Sequence, residues 1–354
     1  MDLNNHNSFR NIDPQNMLVH IDGLPDQLET AWKLGNQLPL PEWEGIERIV
    51  ITGMGGSAIG ADLLTAYTEP TCRVPVVVQR DYRLPAWANG SSSLVIASSH
   101  SGNTEETLSA FEEATQRGCL RLAIATGGEL SRAAKSTGAA LWNFEHHGQP
   151  RAAVGFSFGL LLAAFSRLGL IPNPAEEVKD AISALRLQQT HLKADVPVVQ
   201  NPAKRQAGQL INRWVAVLGS GILAPVARRW KGQFSEVAKA WAQFEFLPEA
   251  DHNTLAGTQN PADLLAKTVV VLLRAPCDHP RNHLRAEFTK KILMLEGMGT
   301  DFFDAPGSTP LANQWTALHF GDYTSYYMAI LYEVDPTPIT VMEQLKKDLR
   351  AATS

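Results

Sequence analysis

The sequence of 354 residues predicts an α/β protein made of two tandem, doubly wound parallel-sheet units with flanking helices. Short apolar runs alternate with segments of helical periodicity, which is typical of parallel strands covered by helices on both faces. The order of strand, glycine turn and helix also occurs twice, first after residues 48–52 (RIVIT) and again after residues 214–218 (WVAVL). We therefore expect two structurally similar units.

The predicted strands and helices follow one another along the chain. Strands of the first unit are predicted at 48–52, 74–78, 93–98, 120–125 and 139–144, and strands of the second at 214–218, 268–273 and 299–303. Helical patterns cover 17–34, 57–67, 103–115, 155–192, a segment from residue 223, 282–294, 313–332 and 339–351. The chain is thus divided into a helical lead-in (1–44), a first unit (45–153), connecting helices (154–200) and a second unit with C-terminal helices (201–354).

Composition limits the classes of function. A hydrophobic content of 44%, a charged content of 19% and a formal charge of -5 describe a globular chain and give no support to a nucleic-acid partner. The three cysteines, odd in number and far apart, predict a reducing compartment. The polar N-terminus predicts no signal peptide, and the apolar runs are too short for a membrane-spanning helix. We expect a cytoplasmic protein without a membrane partner.

Residues 53–57 (GMGGS) form a predicted glycine turn between a strand and a helix. Free backbone N–H groups and the helix dipole make such a turn a site for anions. The turn alone leaves the ligand open, because the pattern G-x-G-x-x-A that begins at Gly53 also matches the dinucleotide fingerprint, and it begins again at Gly219. Asp81 follows the next strand, where a ribose-binding acid could lie. A dinucleotide-dependent oxidoreductase is therefore one alternative.

A second loop, residues 99–104, follows the predicted strand at 93–98 and is called the hydroxyl loop below. Ser99, Ser101 and Thr104 place three hydroxyls around one turn, and a phosphate monoester has three terminal oxygens that accept hydrogen bonds. For Ser101, Asn103 or Thr104, helix capping is the alternative interpretation. The whole run after a buried strand favours phosphate binding, because dinucleotide sites do not need it.

The segment GMGGSAIGADL, followed about 40 residues later by SSHSGNTEETL, resembles the sugar isomerase (SIS) domain. The resemblance implies that a sugar phosphate is held by the glycine turn and the hydroxyl loop, through Gly56, Ser57, Ser99, Ser101 and Thr104. Non-catalytic SIS domains sense sugar phosphates with similar loops. A sensor is therefore an alternative to an enzyme.

Nearly the whole chain also resembles the bifunctional phosphoglucose/phosphomannose isomerases, which are tandem SIS proteins of about this size. The resemblance rests on RWKGQFSEVAK at 229–239, PEADHN at 248–253, and segments at 17–27, 150–158 and the C-terminal tail. The chain departs from the family at two places. Ser235 and Val237 flank Glu236 where asparagines are common, and Asp251 stands where an asparagine often precedes the histidine.

This second resemblance implies roles for four residues. Glu236 is implied as the base that moves a proton between C2 and C1, and Arg151 as the cation near the enediolate. His252 and Lys346 are implied to assist ring opening, with His252 reaching the neighbouring subunit of a homodimer. From the residues alone, each has a plainer interpretation as a solvated helix, turn or surface-loop residue, and Lys347 is an alternative to Lys346.

We therefore expect a metal-free and cofactor-free aldose–ketose isomerase. Its expected substrates are hexose phosphates, with glucose 6-phosphate and mannose 6-phosphate interconverted with fructose 6-phosphate through an enediol. His146, His147, His279 and His283 are interpreted as loop and helix histidines, because Pro280 follows His279 and no glutamate lies within the second pair. A non-catalytic sugar-phosphate sensor is the main alternative, and a dinucleotide-dependent oxidoreductase has less support.

Overall fold

The computed structural model describes residues 2–352. Within that range nine strands and thirteen α-helices follow one another in the alternating order typical of α/β proteins. The strands are β1 Arg48–Thr52, β2 Val76–Gln79, β3 Ser93–Ser99, β4 Leu120–Ala125, β5 Ala140–Asn143, β6 Trp214–Gly219, β7 Ala242–Phe246, β8 Thr268–Arg274 and β9 Gly299–Asp304. The helices are α1 Met17–Asp22, α2 Leu24–Gln37, α3 Gly55–Thr68, α4 Glu105–Gln116, α5 Gly128–Ser136, α6 Val154–Arg167, α7 Ala175–Gln189, α8 Pro202–Leu210, α9 Ala224–Glu236, α10 Ala262–Leu265, α11 Pro280–Leu295, α12 Pro310–Tyr332 and α13 Thr340–Ala352.

The strands form two separate parallel sheets. The first has the order β2-β1-β3-β4-β5 and the second has the order β7-β6-β8-β9. Every pairing is parallel, for example Ile51 of β1 beside Ile96 of β3 and Val217 of β6 beside Val271 of β8. Chain order reverses next to β1 and again next to β6, which makes both sheets doubly wound. The predicted fold class is confirmed.

Two of the predicted helices are divided in the structure, and the helices α5, α8 and α10 were not predicted. The single helix predicted at 17–34 is two helices, α1 and α2, which meet at Gly23. The helical segment predicted at 155–192 is also divided, because the prolines at 172 and 174 interrupt it between α6 and α7. The strand β7 was missed altogether.

Two helices that are buried on all sides lie at the centre of the molecule. In α6 every residue from 154 to 165 is buried, and in α12 every residue from 311 to 330 is buried. A helix that is buried all round belongs inside a core rather than on a surface. The rings of Phe158 and Trp315 meet edge to face across these two helices, with centroids 5.1 Å apart. The two units therefore share one core instead of packing as independent bodies.

Close backbone contact sets the position of α3 against that core. A Cβ at Gly60 would lie 2.7 Å from the Ser157 Cβ, so a larger residue would push α3 away from α6. The other side of α3 packs against α9 of the second unit. The N-terminus of α3 is thereby brought next to the C-terminus of α9. Among residues 2–352, no helix combines the length and the apolar character that crossing a membrane requires.

Candidate functional site

The glycine turn and the hydroxyl loop lie side by side, because they follow the neighbouring strands β1 and β3. The backbone N–H of His100 donates to the Ser57 hydroxyl over 3.2 Å and joins the two loops directly. Gly55 opens α3 with φ +51, a conformation that glycine adopts without strain. At Gly56 a Cβ would lie 2.5 Å from the carbonyl oxygen of Pro150, so the turn also needs glycine for room.

The three hydroxyls of the hydroxyl loop are arranged by hydrogen bonds within the loop. The Ser99 and Thr104 hydroxyls are 2.9 Å apart, and Ser99 also accepts the Gly102 N–H at 3.1 Å. Ser101 accepts the Asn103 N–H at 3.2 Å. Thr104 precedes α4, but its side chain makes no capping hydrogen bond to that helix. The capping interpretation is therefore wrong for Thr104.

A cavity of about 190 Å³ opens between the N-terminus of α3 and the C-terminus of α9. Its wall includes Gly55 and Gly56 from the glycine turn, and Phe244 from β7. Five basic side chains and one carboxylate also line it, namely Arg80, Arg151, Arg228, Arg229, Lys231 and Glu236. This surplus of positive charge suits an anionic ligand.

Arg151 lines the cavity but is buried, with only 2% of its surface exposed. One terminal nitrogen, Nη2, donates to the carbonyl oxygens of Pro336 and Thr337 at 2.7 and 2.5 Å. The other, Nη1, lies 3.6 Å from the Glu236 carboxylate and, among the described residues, makes no hydrogen bond. Burial lowers the pKa of Arg151 below its usual value, and the Glu236 carboxylate opposes that shift. The surface-loop interpretation of Arg151 is wrong.

Arg229 holds Arg151 in place from the second unit. Its guanidinium donates to the Arg151 carbonyl oxygen at 2.7 Å and forms a two-pronged ion pair with Asp322, at 3.1 and 2.8 Å. Both partners of this ion pair are buried. The backbone of Arg151 is thereby fixed by a charge pair that joins α9 to α12.

Glu236 is the last residue of α9, and 27% of its side chain is exposed. Lys239 follows one turn later and donates to the Glu236 carbonyl oxygen at 2.6 Å. Burial, and then the positive charge of Arg151, lower the pKa of Lys239 to about 8. Glu236, Arg151 and the glycine turn thus meet in one cavity.

Sequence reasoning missed a three-residue ion cluster, whose two arginines line the same cavity. Asp62 on α3 accepts from Arg80, after β2, at 2.5 Å and from Arg228, on α9, at 2.8 Å. Arg228 also lies over the ring of Phe244, 5.1 Å from its centroid. Arg228 lies 166 residues from Asp62 in the sequence, and only the assembled units bring these two residues together.

The structure does not bring two of the four predicted catalytic residues into this cavity, and the predicted phosphate-binding residues Ser57, Ser99, Ser101 and Thr104 do not line it either. His252 ends a short 3-10 turn, Glu249–His252, and Lys346 lies on α13. Both are exposed, and neither of these described residues lines the cavity. Asp251, the family departure, accepts from Arg285 at 2.9 Å and from Thr289 at 2.7 Å, which ties the His252 turn to α11.

Two of the other candidate histidines, His146 and His279, have structural partners. His279 caps α11, because its Nδ1 accepts the Arg281 N–H at 3.1 Å. His146 forms a hydrogen bond of 2.9 Å with His100. Within residues 2–352, no three His, Cys, Asp or Glu side chains form a group that could hold a metal ion.

Comparison with solved structures places the fold among the phosphosugar isomerases. A glucose-6-phosphate isomerase-like protein from Thermus thermophilus superimposes with a TM-score of 0.65 at 20% identity, over 95% of this chain and 98% of the other. Tagatose-6-phosphate ketose/aldose isomerase from Escherichia coli gives 0.68 at 17% identity, over 90% and 94%. The fold class is therefore one that this chain shares with solved sugar-phosphate isomerases.

Sequence comparison narrows this class to one family. Residues 199–349 match the profile described as bacterial phospho-glucose isomerase C-terminal SIS domain. A bifunctional phosphoglucose/phosphomannose isomerase of Caldicellulosiruptor bescii is 39% identical over 94% of this chain and 98% of its own length. The enzyme of the same name from Aquifex aeolicus is 34% identical over 87% and 94%. The chain belongs to the bifunctional phosphoglucose/phosphomannose isomerase family.

Proposed function

We propose that this isomerase interconverts glucose 6-phosphate and mannose 6-phosphate with fructose 6-phosphate through an enediolate. One observation carries the proposal: the Glu236 carboxylate lies 3.6 Å from a buried, incompletely bonded Arg151, in a cavity beside the glycine turn. A carboxylate base next to a fixed cation is what proton abstraction beside a carbonyl requires.

In the proposed mechanism the phosphate group tethers the substrate. Gly56 and Ser57 of the glycine turn, and Ser99, Ser101 and Thr104 of the hydroxyl loop, supply donors to its three terminal oxygens. The adjoining loops lie in contact through His100 and Ser57, so one phosphate could be held by both. Binding through the phosphate group leaves the carbon chain of the sugar free to extend into the cavity.

Proton transfer is assigned to Glu236. It removes the proton from C2 of the open-chain aldose and returns it to C1, and a hydroxyl proton passes from O2 to O1. The Arg151 guanidinium stabilises the negative charge that develops on oxygen. Arg151 is already anchored through Nη2 and through its carbonyl oxygen, so little reorganisation is needed when that charge forms. Glucose and mannose differ only at C2. One base serves both sugars if C2 turns either face toward it.

Ring opening is assigned to His252 and Lys346 within a homodimer. Both lie outside the cavity of their own chain but close to exposed apolar faces. On α11, which Asp251 ties to the His252 turn, Phe288 and Leu295 are 62% and 77% exposed. A second copy that covers these faces would deliver His252 to the neighbouring cavity.

Sedimentation equilibrium tests the dimer. We expect Phe288→Asp and Leu295→Asp each to shift the protein toward a monomer and to lower its turnover, because a charge in a buried apolar interface is costly. Leu187→Asp, at an exposed leucine of α7, is the matched control and should remain dimeric. A wild-type monomer with full activity would contradict the proposal.

Substitution of the base tests the reaction itself. In assays with each hexose phosphate and a metal chelator, Glu236→Gln should lower kcat by about 10²–10⁴-fold, the contribution of a positioned general base. KM should change little, because glutamine keeps the shape of the site. Glu44→Gln, at an exposed glutamate away from the cavity, is the control.

The outcomes separate the alternatives. A wild-type protein that binds fructose 6-phosphate without converting it would be a sensor. Wild-type turnover of glucose 6-phosphate alone would reduce the proposal to one activity. Full activity in Glu236→Gln would rule out Glu236 as the base.

We also propose the cytoplasm as the compartment. Cys72, Cys119 and Cys277 are all free thiols, and Cys119 is buried. Free thiols persist in a reducing environment.

A further inference from the structure

His100 stands in the middle of the hydroxyl loop, between Ser99 and Ser101. Its backbone N–H donates to the Ser57 hydroxyl, and its carbonyl oxygen accepts from the N–H and the hydroxyl of Thr126 at 2.9 and 2.7 Å. The residue thus connects the glycine turn, the hydroxyl loop and the end of β4 through its main chain. Its imidazole ring remains available for a different contact.

That contact is a hydrogen bond to a second imidazole. His100 Nε2 lies 2.9 Å from Nδ1 of His146, in the segment that follows β5. The other ring nitrogen of His146, Nε2, is buried and makes no hydrogen bond among the described residues. Among the described residues, His100 is therefore the one hydrogen-bond partner of the His146 ring.

Apolar and neutral groups surround the pair. The His100 ring meets Phe144 edge to face, and the His146 ring meets Phe156 in the same way. His20, from α1, lies with its ring centroid 5.4 Å from that of His146. Burial lowers the pKa of His100, and burial with the nearby His100, His20 and His147 rings lowers the pKa of His146 to about 4. At neutral pH both rings are neutral, so one donates and the other accepts.

We propose that His100 and His146 are positioning residues, and that their ring-to-ring hydrogen bond holds the hydroxyl loop in the arrangement that binds the substrate phosphate. The inference rests on the proposed function, because it takes the hydroxyl loop as the phosphate site. Neither ring needs to touch the substrate. Ser99 and Ser101 flank His100 directly, so a rotation at His100 moves both hydroxyls away from a common centre.

The positions of the two bonding nitrogens allow a matched set of variants. In His146 the bonding atom is Nδ1, which an asparagine amide reproduces, whereas in His100 it is Nε2, which a glutamine amide reproduces. His146→Asn and His100→Gln therefore retain the bond. His146→Leu and His100→Leu fill similar space without it. His191→Leu, at an exposed histidine, controls for the loss of an imidazole.

The readout is KM against kcat for fructose 6-phosphate, with inorganic phosphate as a competitive inhibitor. We expect both leucine variants to raise KM and the inhibition constant of phosphate by about five- to tenfold, the factor that one buried hydrogen bond is worth. The kcat value should change little, because the phosphate tether is the same in ground and transition states. The asparagine and glutamine variants should stay near wild type.

Partial unfolding of the leucine variants would not imitate this result, because KM does not depend on the concentration of active enzyme. Unchanged KM in both leucine variants would overturn the proposal, and so would equal impairment of the leucine and amide variants. Calorimetric titration of all variants with inorganic phosphate tests the pair without turnover. A wild-type protein that lacks isomerase activity would defeat the proposed function, whereas the calorimetric ranking would still decide whether the pair positions the loop.

Discussion

Arg229 and Asp322 form an ion pair that is shielded from solvent on both sides. Asp322→Asn leaves the Arg229 guanidinium buried with an uncharged partner. Removing one member of a buried pair typically costs about 3–5 kcal/mol, and the retained amide should keep the loss near the lower end of that range. We expect the free energy of unfolding, measured by urea denaturation, to fall by roughly 3 kcal/mol. Turnover should fall as well, because Arg229 also holds the Arg151 carbonyl.

The matched control is an ion pair on the surface. Glu176 and Lys179 lie 2.6 Å apart on α7, but both side chains are largely exposed. Glu176→Gln should change the unfolding free energy by less than about 0.5 kcal/mol. Equal losses in the two variants would show that burial does not govern the Arg229–Asp322 pair.

Some contacts of the site could be anticipated from single residues, and others could not. The resemblance singled out Gly56, Arg151 and Glu236, and the structure places these three around one cavity. No sequence pattern predicted the contacts of Asp62 with its two arginines or the contact of His100 with His146. Their partners come from different elements, and no spacing along a chain encodes a contact that depends on how two sheets are assembled.

Among the elements, the hydroxyl loop depends on the backbone freedom of Gly102. Its φ is +68, and a Cβ there would overlap the carbonyl oxygen of Gly127. Gly118 has nearly the same φ, +67, but open space around it. Gly118→Ala should therefore cost only the strain of the left-handed backbone, about 1–2 kcal/mol. Gly102→Ala should cost more and should also raise KM, because the loop must move to relieve the overlap.

Urea denaturation and steady-state kinetics of the two alanine variants test this difference. If Gly118→Ala and Gly102→Ala lowered stability equally and left KM unchanged, the close approach to Gly127 would have no role in shaping the loop.

The elements differed in how clearly the sequence encoded them. Buried strands such as β3 and β8 are continuous apolar runs and were predicted nearly to the residue. The strand β7 was missed because its sequence, AQFEF, alternates polar and aromatic residues. That alternation reflects its place at the edge of the second sheet, where Phe244 faces the cavity. An edge strand of five residues resembles a loop until its neighbour is known.

For the molecule as a whole, buried histidines predict a loss of stability in mild acid. Burial lowers the pKa of both His146 and His319 to about 4, against an ordinary value of 6.5. Between these values the unfolded chain binds protons that the folded chain does not. Stability therefore falls as pH decreases from 6.5 toward 4, by about 1.4 kcal/mol per pH unit for each proton. Asp22 and Asp278, whose pKa values burial raises, oppose this loss, because the folded chain retains protons there that the unfolded chain has released.

Urea denaturation at a series of pH values measures the slope. His319→Gln retains a donor for the Ile21 carbonyl oxygen, which lies 2.8 Å from His319 Nε2, but it cannot titrate. The slope between pH 6.5 and 4 should be shallower in that variant than in wild type. An identical slope would mean that His319 takes no part in the acid sensitivity.

The contacts of the Asp62 carboxylate limit how the sequences of the two units can change in evolution. This carboxylate accepts hydrogen bonds from Arg80 of the first unit and from Arg228 of the second. The ion cluster around Asp62 is therefore formed by both units. A recombinant that joined the first unit to the second unit of a distant relative would bring a foreign residue to position 228. Unless that residue also matched Asp62, the ion pair between the two units would be lost. We therefore expect the two units to be inherited together, with compensating substitutions where the two units are in contact.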